Sequence, residues 1–429
     1  MHSPHRSVRR EPALTGQPSP RRVRRPGDPL DDRGTDTAAN PAGDILAFHL
    51  LIIPATGFRP AQRSGRSWPA AAAYSLALWA VGYYPARAGA LPGIEDQTLI
   101  EHWNGSAWCR VVSPDPGGGT RENQLLAVTV ASQSNAWAVG YYTAASNVNK
   151  TLTLHWNGHS WKQVASPDPA APGMGNELDD VAATSASDTW AAGYYVNASH
   201  VARSMVLYWN GTAWRVMPSP DRSTNTQLTG VVAASRTNVW VTGFYDTSAF
   251  VSQTLISHWN GRAWAITASS DRGGMSSANY LVNMAVPSLS AALAVGSSFN
   301  STSALTFSAR RDGARWKTVT TPDPAGTRNA DNVLTDIAAT SPASAWAVGE
   351  YRLIYGSYQT LILQWTGTEW KRVASPDTSV LHNVLSAVAA TSSSNAWAAG
   401  YLASPLTGLN LRTLILHWNG KTWIRAPSP

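Results

Sequence analysis

The chain has 429 residues, of which 43% are hydrophobic, so it can bury a sizeable core and is not disordered overall. Its formal net charge of +7 is uneven, because residues 1–66 carry 11 Arg against 6 acidic residues and leave a net +2 for residues 67–429. A nearly neutral body lacks the clustered Lys and Arg of a nucleic-acid-binding surface, so we expect no nucleic-acid partner. Cys109 is the only cysteine, which excludes an intramolecular disulfide and a cysteine-based metal cage.

The N-terminal segment, residues 1–66, is rich in Arg and Pro, and we predict that it is mostly disordered. Its apolar stretch "DILAFHLLIIPATG", residues 44–57, is too short to cross a membrane as a helix, so we expect no transmembrane segment. With "RRVRR" at 21–25 upstream, the stretch is similar to a secretory leader. Both interpretations, a leader and a disordered tail, stay open.

The body of the chain consists of sequence repeats that are spaced 50 to 58 residues apart. A "WAVG"-like string opens on Trp79, Trp137, Trp190, Trp240, Leu293, Trp346 and Trp397. A second block, first seen as "HWNGSAW" at 102–108, ends on Trp108, Trp161, Trp214, Trp264, Trp316, Trp370 and Trp423. A Ser-Pro-Asp or similar sequence follows most of these blocks. So long and regular a period indicates a solenoid, a propeller or an array.

Each copy carries the signals of four short strands. In the sixth copy they are "LTDIAATS", "AWAVGEY", "QTLILQWTG" and "EWKRVASP", from residues 334, 345, 359 and 369. Each is rich in β-branched or aromatic residues, and turn residues bound it. Seven copies of four antiparallel strands predict an all-β fold, a seven-bladed β-propeller over residues 67–429. Blade one is the weakest copy, because Ser67 and Ala70 stand where Leu and Val are expected.

The fifth copy departs from the others. Leu293 replaces the strand-two Trp, and "SARRDGARW" at 308–316 places Arg311 where the other copies have Trp. Two interpretations follow: neighbouring side chains collapse inward and leave a weaker blade, or Arg310, Arg311 and Asp312 form a polar notch. A partner or the N-terminal segment would dock in such a notch.

A Gly after the start of strand two and a Trp in strand four recur in the copies, for example Gly400 and Trp423 in the last. In these positions residues 67–429 resemble kelch-type propellers and, more distantly, the Asp-box propellers of the sialidase fold. The resemblance implies an architecture rather than a particular chemistry.

Loops between strands two and three, and between blades, vary in sequence, so we place function on the face where they lie. One candidate ligand-binding set is an aromatic rim suited to sugars: Tyr84, Tyr142, Tyr195, Tyr245 and Tyr351. The alternative is that these rings pack at strand ends. The second set, Asp180 and Asp336, could hold a cation or act as a carboxylate pair, or could cap the ends of strands.

We predict no catalytic residues, no metal site and no cofactor. His102, His155, His258 and His417 occupy equivalent third-strand positions in different blades, so they cannot converge on one ion. The favoured hypothesis is a non-enzymatic, monomeric binding scaffold for a glycan or a protein ligand, exported by a bacterium to the cell surface or beyond, with a cytoplasmic location as the alternative. The rival is a glycosidase or lyase that uses channel-mouth acids such as Asp180 and Asp336.

Overall fold

The structure, a computed structural model, describes residues 48–53, 77–86, 95–222, 225–269, 271–272, 274–288, 291–313, 315–352, 356–377, 382–403 and 412–428. These residues form 28 β-strands and one short 3-10 turn at Gly274–Ser276. The strands make seven four-stranded antiparallel sheets, and all seven belong to one compact unit. Within the described ranges, no helix has the length and hydropathy needed to span a membrane.

Every sheet uses four consecutive strands in chain order. The innermost strands are β1 (Phe48–Ile53), β5 (Asn123–Ser132), β9 (Asn176–Ser185), β13 (Thr226–Ser235), β17 (Ala278–Ser288), β21 (Asn332–Ser341) and β25 (His382–Ser392). The second strands are β2 (Ala77–Pro85), β6 (Asn135–Thr143), β10 (Asp188–Val196), β14 (Asn238–Asp246), β18 (Ala291–Phe299), β22 (Ser344–Arg352) and β26 (Asn395–Ala403).

The third strands are β3 (Asp96–Trp103), β7 (Asn149–Trp156), β11 (Ala202–Trp209), β15 (Ser252–Trp259), β19 (Ala304–Asp312), β23 (Tyr358–Trp365) and β27 (Arg412–Trp418). The outermost strands are β4 (Trp108–Val111), β8 (Trp161–Gln163), β12 (Trp214–Met217), β16 (Trp264–Thr267), β20 (Arg315–Val319), β24 (Trp370–Arg372) and β28 (Trp423–Ala426). The predicted seven-bladed β-propeller is confirmed.

Blade one takes its innermost strand from further upstream than the repeat spacing suggests. β1 pairs antiparallel with β2, and Ile53 lies opposite Ala77. This strand lies within the apolar stretch 44–57, whereas the repeat pattern predicts a propeller that begins at residue 67. Residues 54–76, with Ser67 and Ala70 among them, lie outside the described residues. The rest of residues 1–66 also lies outside them, so the disorder of that segment stays a prediction.

Indole rings fill the wedges between consecutive blades. Trp79 of blade one lies with its ring centre 4.9 Å from that of Trp156 and 5.2 Å from that of Trp161, both in blade two. Equivalent Trp groups join blade two to three, six to seven, and seven back to one: Trp137, Trp209 and Trp214; Trp346, Trp418 and Trp423; Trp397, Trp103 and Trp108. Each buried ring contributes about 2–3 kcal/mol. These repeated contacts close the ring.

Blade five keeps its wedges filled without the missing Trp residues. The guanidinium of Arg311 lies 4.6 Å from the ring centre of Trp240, and that of Arg310 lies 5.7 Å from the ring centre of Trp365. Asp312 pairs with Lys317 at 2.7 Å. Cation–π contacts thus occupy the places of the missing indoles beside Trp240 and Trp365, and both interpretations of the blade stay predictions. Docking of a partner there stays a prediction.

The Gly that follows the start of strand two makes room for the innermost strand of its own blade. In blade six Gly349 lies opposite Leu334 in the register, and a β-bulge follows Leu334 directly. A Cβ at Gly349 would lie 2.0 Å from the carbonyl oxygen of Val333, on the adjacent strand. The space that Gly349 leaves is occupied by its own sheet and not by a neighbouring one. The bulge turns a carbonyl toward the second strand, and only Gly leaves space for it.

The Ser-Pro-Asp sequences hold the loops that leave strand four. In blade two, Asp168 Oδ1 accepts the backbone N–H of Thr151 at 2.8 Å, and the hydroxyls of Thr151 and Ser166 are 2.7 Å apart. Blades one, three, four, five and six repeat the bond from the third-strand backbone to the Asp. These contacts fix the start of each connection to the next blade, and so they position one face of the propeller.

Candidate functional site

The two faces of the propeller differ in their loops. Turns from strand one to strand two are two residues long where the structure describes them, as at 133–134 and 342–343. The opposite face carries the connections from strand two to three and from strand four to the next blade, which vary in length and sequence. We call it the variable-loop face, and all candidate ligand-binding residues lie at or below it.

The predicted tyrosine rim is placed between blades rather than on an open surface. Each of its five rings packs against the apolar core of a wedge: Tyr84, Tyr142, Tyr195, Tyr245 and Tyr351. Arg222 covers the ring of Tyr245 with its guanidinium 4.7 Å from the ring centre, and Arg372 covers that of Tyr351 at the same distance. A role for these rings in ligand binding stays a prediction, while their packing is evident.

Asp180 and Asp336 lie on the innermost strands of blades three and six, one residue beyond the β-bulge. Both are buried, with 8% and 5% of their surface exposed. Asp180 accepts the backbone N–H of Val231 in blade four at 2.8 Å, and Asp336 accepts that of Val388 in blade seven at 2.7 Å. Each carboxylate therefore joins two neighbouring blades.

Burial raises the pKa of Asp180 and of Asp336 to about 7, against the lowering effect of their backbone hydrogen bonds. The charge of Asp336 adds to the rise in the pKa of Asp180, although the two residues belong to blades that are not neighbours. The charge of one acid thus acts on the other across the channel, and both carboxyls also link neighbouring blades.

A second group of polar side chains converges nearby, at the upper ends of blades one, two and three. We call it the channel cluster; it consists of Tyr83, Glu122, Tyr141, Glu177, Asp179 and Tyr194. The phenol of Tyr194 donates to Glu177 Oε2 at 2.8 Å. Burial raises the pKa of Tyr83 in blade one, and the charge of Glu177 in blade three, a blade that is not adjacent, adds to the rise. An influence of this kind between non-adjacent blades is expected of side chains that face the central axis.

Burial dominates the electrostatics of the channel cluster. It raises the pKa of Glu122 to about 7, with the charges of Asp96 and Glu177 adding to the rise. Burial also raises the pKa of Asp179 well above its usual range, and the charge of Glu177 raises it further. Oδ2 of Asp179 has no hydrogen-bond partner among the described residues. Burial thus favours the protonated forms of these carboxyls, so that the cluster offers both donors and acceptors of hydrogen bonds.

The tyrosines of the cluster are neutral phenols. Burial raises the pKa of Tyr141 and of Tyr194, and the charge of Glu177 adds to both rises. A phenol with a raised pKa is a poor nucleophile, because it gives up its proton less readily than a free one.

In blade three the first residue after the Gly, Tyr194, contacts the channel acid Glu177, whereas Tyr195, a candidate of the predicted rim, packs in a wedge. Strand alternation sends the two rings to opposite faces of the sheet. Glu177 and Asp179 lie two residues apart on an innermost strand, and the equivalent positions of blades two, four, five, six and seven hold uncharged residues. This difference in the sequence could have revealed them.

The histidines stack within their own blades. The ring centre of His258 lies 4.2 Å from that of Trp240, and His417 repeats this contact with Trp397. Nε2 of His258 also lies 2.7 Å from Oδ1 of Asn238. In the part of the chain that the structure describes, no three His, Cys, Asp or Glu residues are placed to hold a metal ion.

No protein-family model and no curated protein matches this chain. Among solved structures, it is similar to the β-propeller domain of the Trilobed protease from Pyrococcus furiosus, at 10% identity and a TM-score of 0.46 over 81% of this chain and 93% of that one. It is also similar to YCF48 from Cyanidioschyzon merolae, at 14% identity and a TM-score of 0.43 over 75% and 89%. A structure described as YCF48 bound to D1 peptide matches at 14% identity and a TM-score of 0.41 over 70% and 81%. The seven-bladed assignment is made on strand order alone.

Proposed function

We propose that this protein is a non-enzymatic binding scaffold, and that its ligand, a glycan or a protein segment, inserts a donor-rich group into the channel cluster. The observation that carries the proposal is the convergence of three carboxyls and three phenols from three blades around the axis. Protonated carboxyls and phenols both donate and accept hydrogen bonds, as recognition of hydroxyl groups requires.

Three further properties support binding over catalysis. The phenols have raised pKa values, so they are poorly suited to act as nucleophiles. The charged groups that shift the pKa values within the cluster are carboxyls and phenols, not the converging arginines of a sialidase-type site. The surrounding loops vary between blades, as expected of a surface fitted to a particular ligand.

A second candidate function, a glycosidase or lyase, is favoured by one pair of residues. Glu177 and Asp179 both have raised pKa values, through burial and, for Asp179, through the charge of Glu177. Two carboxyls that hold a proton between them can serve as general acid and general base. Asp180 and Asp336 support this candidate less, because their oxygens accept backbone N–H groups.

The kelch-type resemblance, monomeric state and export from a bacterial cell form part of the same proposal. They rest on the repeat pattern and the near-neutral body; the leader-like segment at 21–57 supports export less, because its residues 48–53 form the innermost strand of blade one. Fractionation of the source cells, with the chain detected by antibody, tests the location. Recovery in the cytoplasmic fraction alone would contradict export.

The binding proposal is tested with the full chain on a glycan array, a peptide array and a panel of chromogenic glycosides. We expect binding without turnover, and at least a tenfold loss of affinity in the Glu177→Gln, Asp179→Asn double variant. Asp312→Asn removes an exposed carboxyl elsewhere and serves as the control. Turnover that the double variant abolishes would establish the second candidate instead. Unchanged binding in that variant would show that the ligand does not bind at the channel cluster.

A further inference from the structure

Three neighbouring loops of the variable-loop face share one backbone conformation. They connect strands two and three of blades two, three and four, at 144–148, 197–201 and 247–251. In each loop the first N–H bonds to the fifth carbonyl and the fourth N–H bonds to the first carbonyl, all at 2.9 to 3.0 Å. The fourth residue has a φ of 57° in every case: Asn147, His200 and Phe250. The loops thus display three different side chains from one backbone geometry.

The left-handed conformation at this fourth position suits the three residues unequally. Asn adopts it readily, because its short polar side chain bonds locally, whereas a bulky apolar residue there is an outlier. Asn147 shows that the same loop forms with Asn, so the backbone does not require an aromatic residue. Phe250 is therefore an unfavourable choice for folding.

Phe250 is also 80% exposed, and its neighbours Ser248 and Ala249 are small and exposed as well. Of the large hydrophobic residues exposed in the described part of the chain, Phe250 is the aromatic one; the others are Val112, Val216, Ile266 and Ile424. Single exposed apolar side chains are common and need no explanation. An exposed ring on a strained backbone is different, because neither the exposure of the ring nor the left-handed backbone conformation stabilises the isolated chain.

We propose that Phe250 is the aromatic anchor through which the variable-loop face binds a protein partner, by inserting its ring into an apolar pocket of that partner. Aromatic anchors of this kind carry a large share of the binding energy at protein interfaces. A glycan fits the site poorly, since sugars need hydrogen-bonding groups around the ring, and Phe250 is flanked by a small hydroxyl and a methyl group. The inference rests on the proposed function only in that both use the same face.

Because Phe250 is strained, its replacement is expected to stabilise the fold, whereas replacing a structural residue would destabilise it. Phe250→Asn places in blade four the residue that blade two already uses, so we expect a higher Tm and no loss of fold. The same substitution should weaken partner binding at least tenfold. His200→Asn is the matched control, because it introduces the same residue at the equivalent position of the neighbouring loop and leaves Phe250 in place.

The partner is found by crosslinking in cells of the source organism. A photoreactive phenylalanine analogue is placed at position 250 of the full chain and, as the control, at position 112, where Val112 is 90% exposed elsewhere on the surface. A protein captured from position 250 alone is purified and titrated against the wild type, Phe250→Asn and His200→Asn. Support requires an affinity lost in Phe250→Asn and kept in His200→Asn.

Three results would overturn the proposal: the same proteins captured at both positions, a purified partner that binds Phe250→Asn within twofold of the wild type, or capture that disappears when glycans are removed enzymatically. The Glu177→Gln, Asp179→Asn double variant separates this inference from the proposed function. If that variant loses ligand binding while Phe250→Asn keeps it, the channel site stands and the anchor fails. The reverse result would support the anchor and contradict the channel site.

Discussion

The wedges between blades and the mouth of the channel are built from the same repeat in opposite ways. The wedges use one solution again and again: an indole from strand two meets two indoles of the next blade. The channel mouth combines repeated and unrepeated positions: Tyr83, Tyr141 and Tyr194 each follow the Gly of strand two, whereas the positions equivalent to Asp179 hold Leu126, Thr229, Val282, Thr335 and Ser386. Only blade three places two acids there.

The difference separates folding from candidate function. A position that every blade fills in the same way answers a demand that every blade shares, namely closing a wedge or accommodating a bulge. A position filled differently in each blade is free of that demand, so its side chains can serve a ligand. On this argument, substitutions at repeated positions should cost stability, and substitutions at the channel mouth should not.

The largest loss is expected at the Gly opposite the β-bulge. Gly349→Ala should lower the free energy of unfolding by more than about 4 kcal/mol, because the new Cβ meets a backbone carbonyl that cannot move without breaking the sheet. Gly119→Ala is the control: its Cβ would meet nothing within 4 Å, and we expect a change within about 0.5 kcal/mol. Urea denaturation followed by circular dichroism measures both, and equal losses would show that the bulge is not the cause.

The comparison itself is tested by one variant from each region. Trp346→Ala should cost about 3–5 kcal/mol, since it empties a wedge that a fully buried indole fills. Tyr194→Phe removes one phenol hydroxyl from the channel cluster and should cost about 1 kcal/mol or less. Denaturation of the two variants in parallel checks the contrast. A Tyr194→Phe loss as large as that of Trp346→Ala would mean that the channel mouth is structural.

The buried carboxyls predict a particular dependence of stability on pH. The pKa of Asp336 is about 7 in the folded chain, above its unfolded value of about 3.9, so the folded state binds more protons between these two values. The free energy of unfolding should therefore fall as pH rises from about 4 to about 7, by at most about 4 kcal/mol from this residue.

Asp336→Asn should flatten that slope, which thermal unfolding at a series of pH values measures. Asp312→Asn is the control of opposite sign, because the hydrogen bond from Lys317 lowers the pKa of Asp312. A slope unchanged in Asp336→Asn would show that this carboxyl is ionised in the folded chain throughout the range.

The smallest effect is a gain. Glu101 lies in the wedge that joins blade seven to blade one, 2% exposed, with Oε2 unpartnered among the described residues. Burial raises its pKa to about 7, although the charge of Arg110 lowers it. Blades two, three, six and seven have Leu at this position: Leu154, Leu207, Leu363 and Leu416.

Glu101→Leu should therefore raise the free energy of unfolding by about 1–3 kcal/mol above pH 7, and by less at pH 5, where the carboxyl is protonated. Leu207→Glu, the reverse change in blade three, should be destabilising. Urea denaturation at both pH values measures the pair. A loss of stability in Glu101→Leu would show that the carboxylate has a favourable partner in the wedge.

The repeat made the number of blades and the order of strands predictable. Trp, Gly and Ser-Pro-Asp recur at set distances, because each blade solves the same packing and turn problems locally. The spacing misled only where one copy departed from it. The innermost strand of blade one lies further upstream at Phe48–Ile53, since pairing depends on register with β2 and not on distance along the chain.

The architecture follows from the amino-acid sequence alone, because each copy of about 50 residues carries the same pattern of strands and turns. Which side chains of different blades come together depends on how the ring closes. Glu122, Glu177 and Tyr83 are far apart in the chain, and their meeting at the axis follows from closure of the ring. The same closure turned the predicted acids Asp180 and Asp336 into links between blades and moved the predicted tyrosine rim into the wedges. A repeat states what every blade has in common, whereas a site around the axis depends on how the blades differ and on which of those differences the ring brings together.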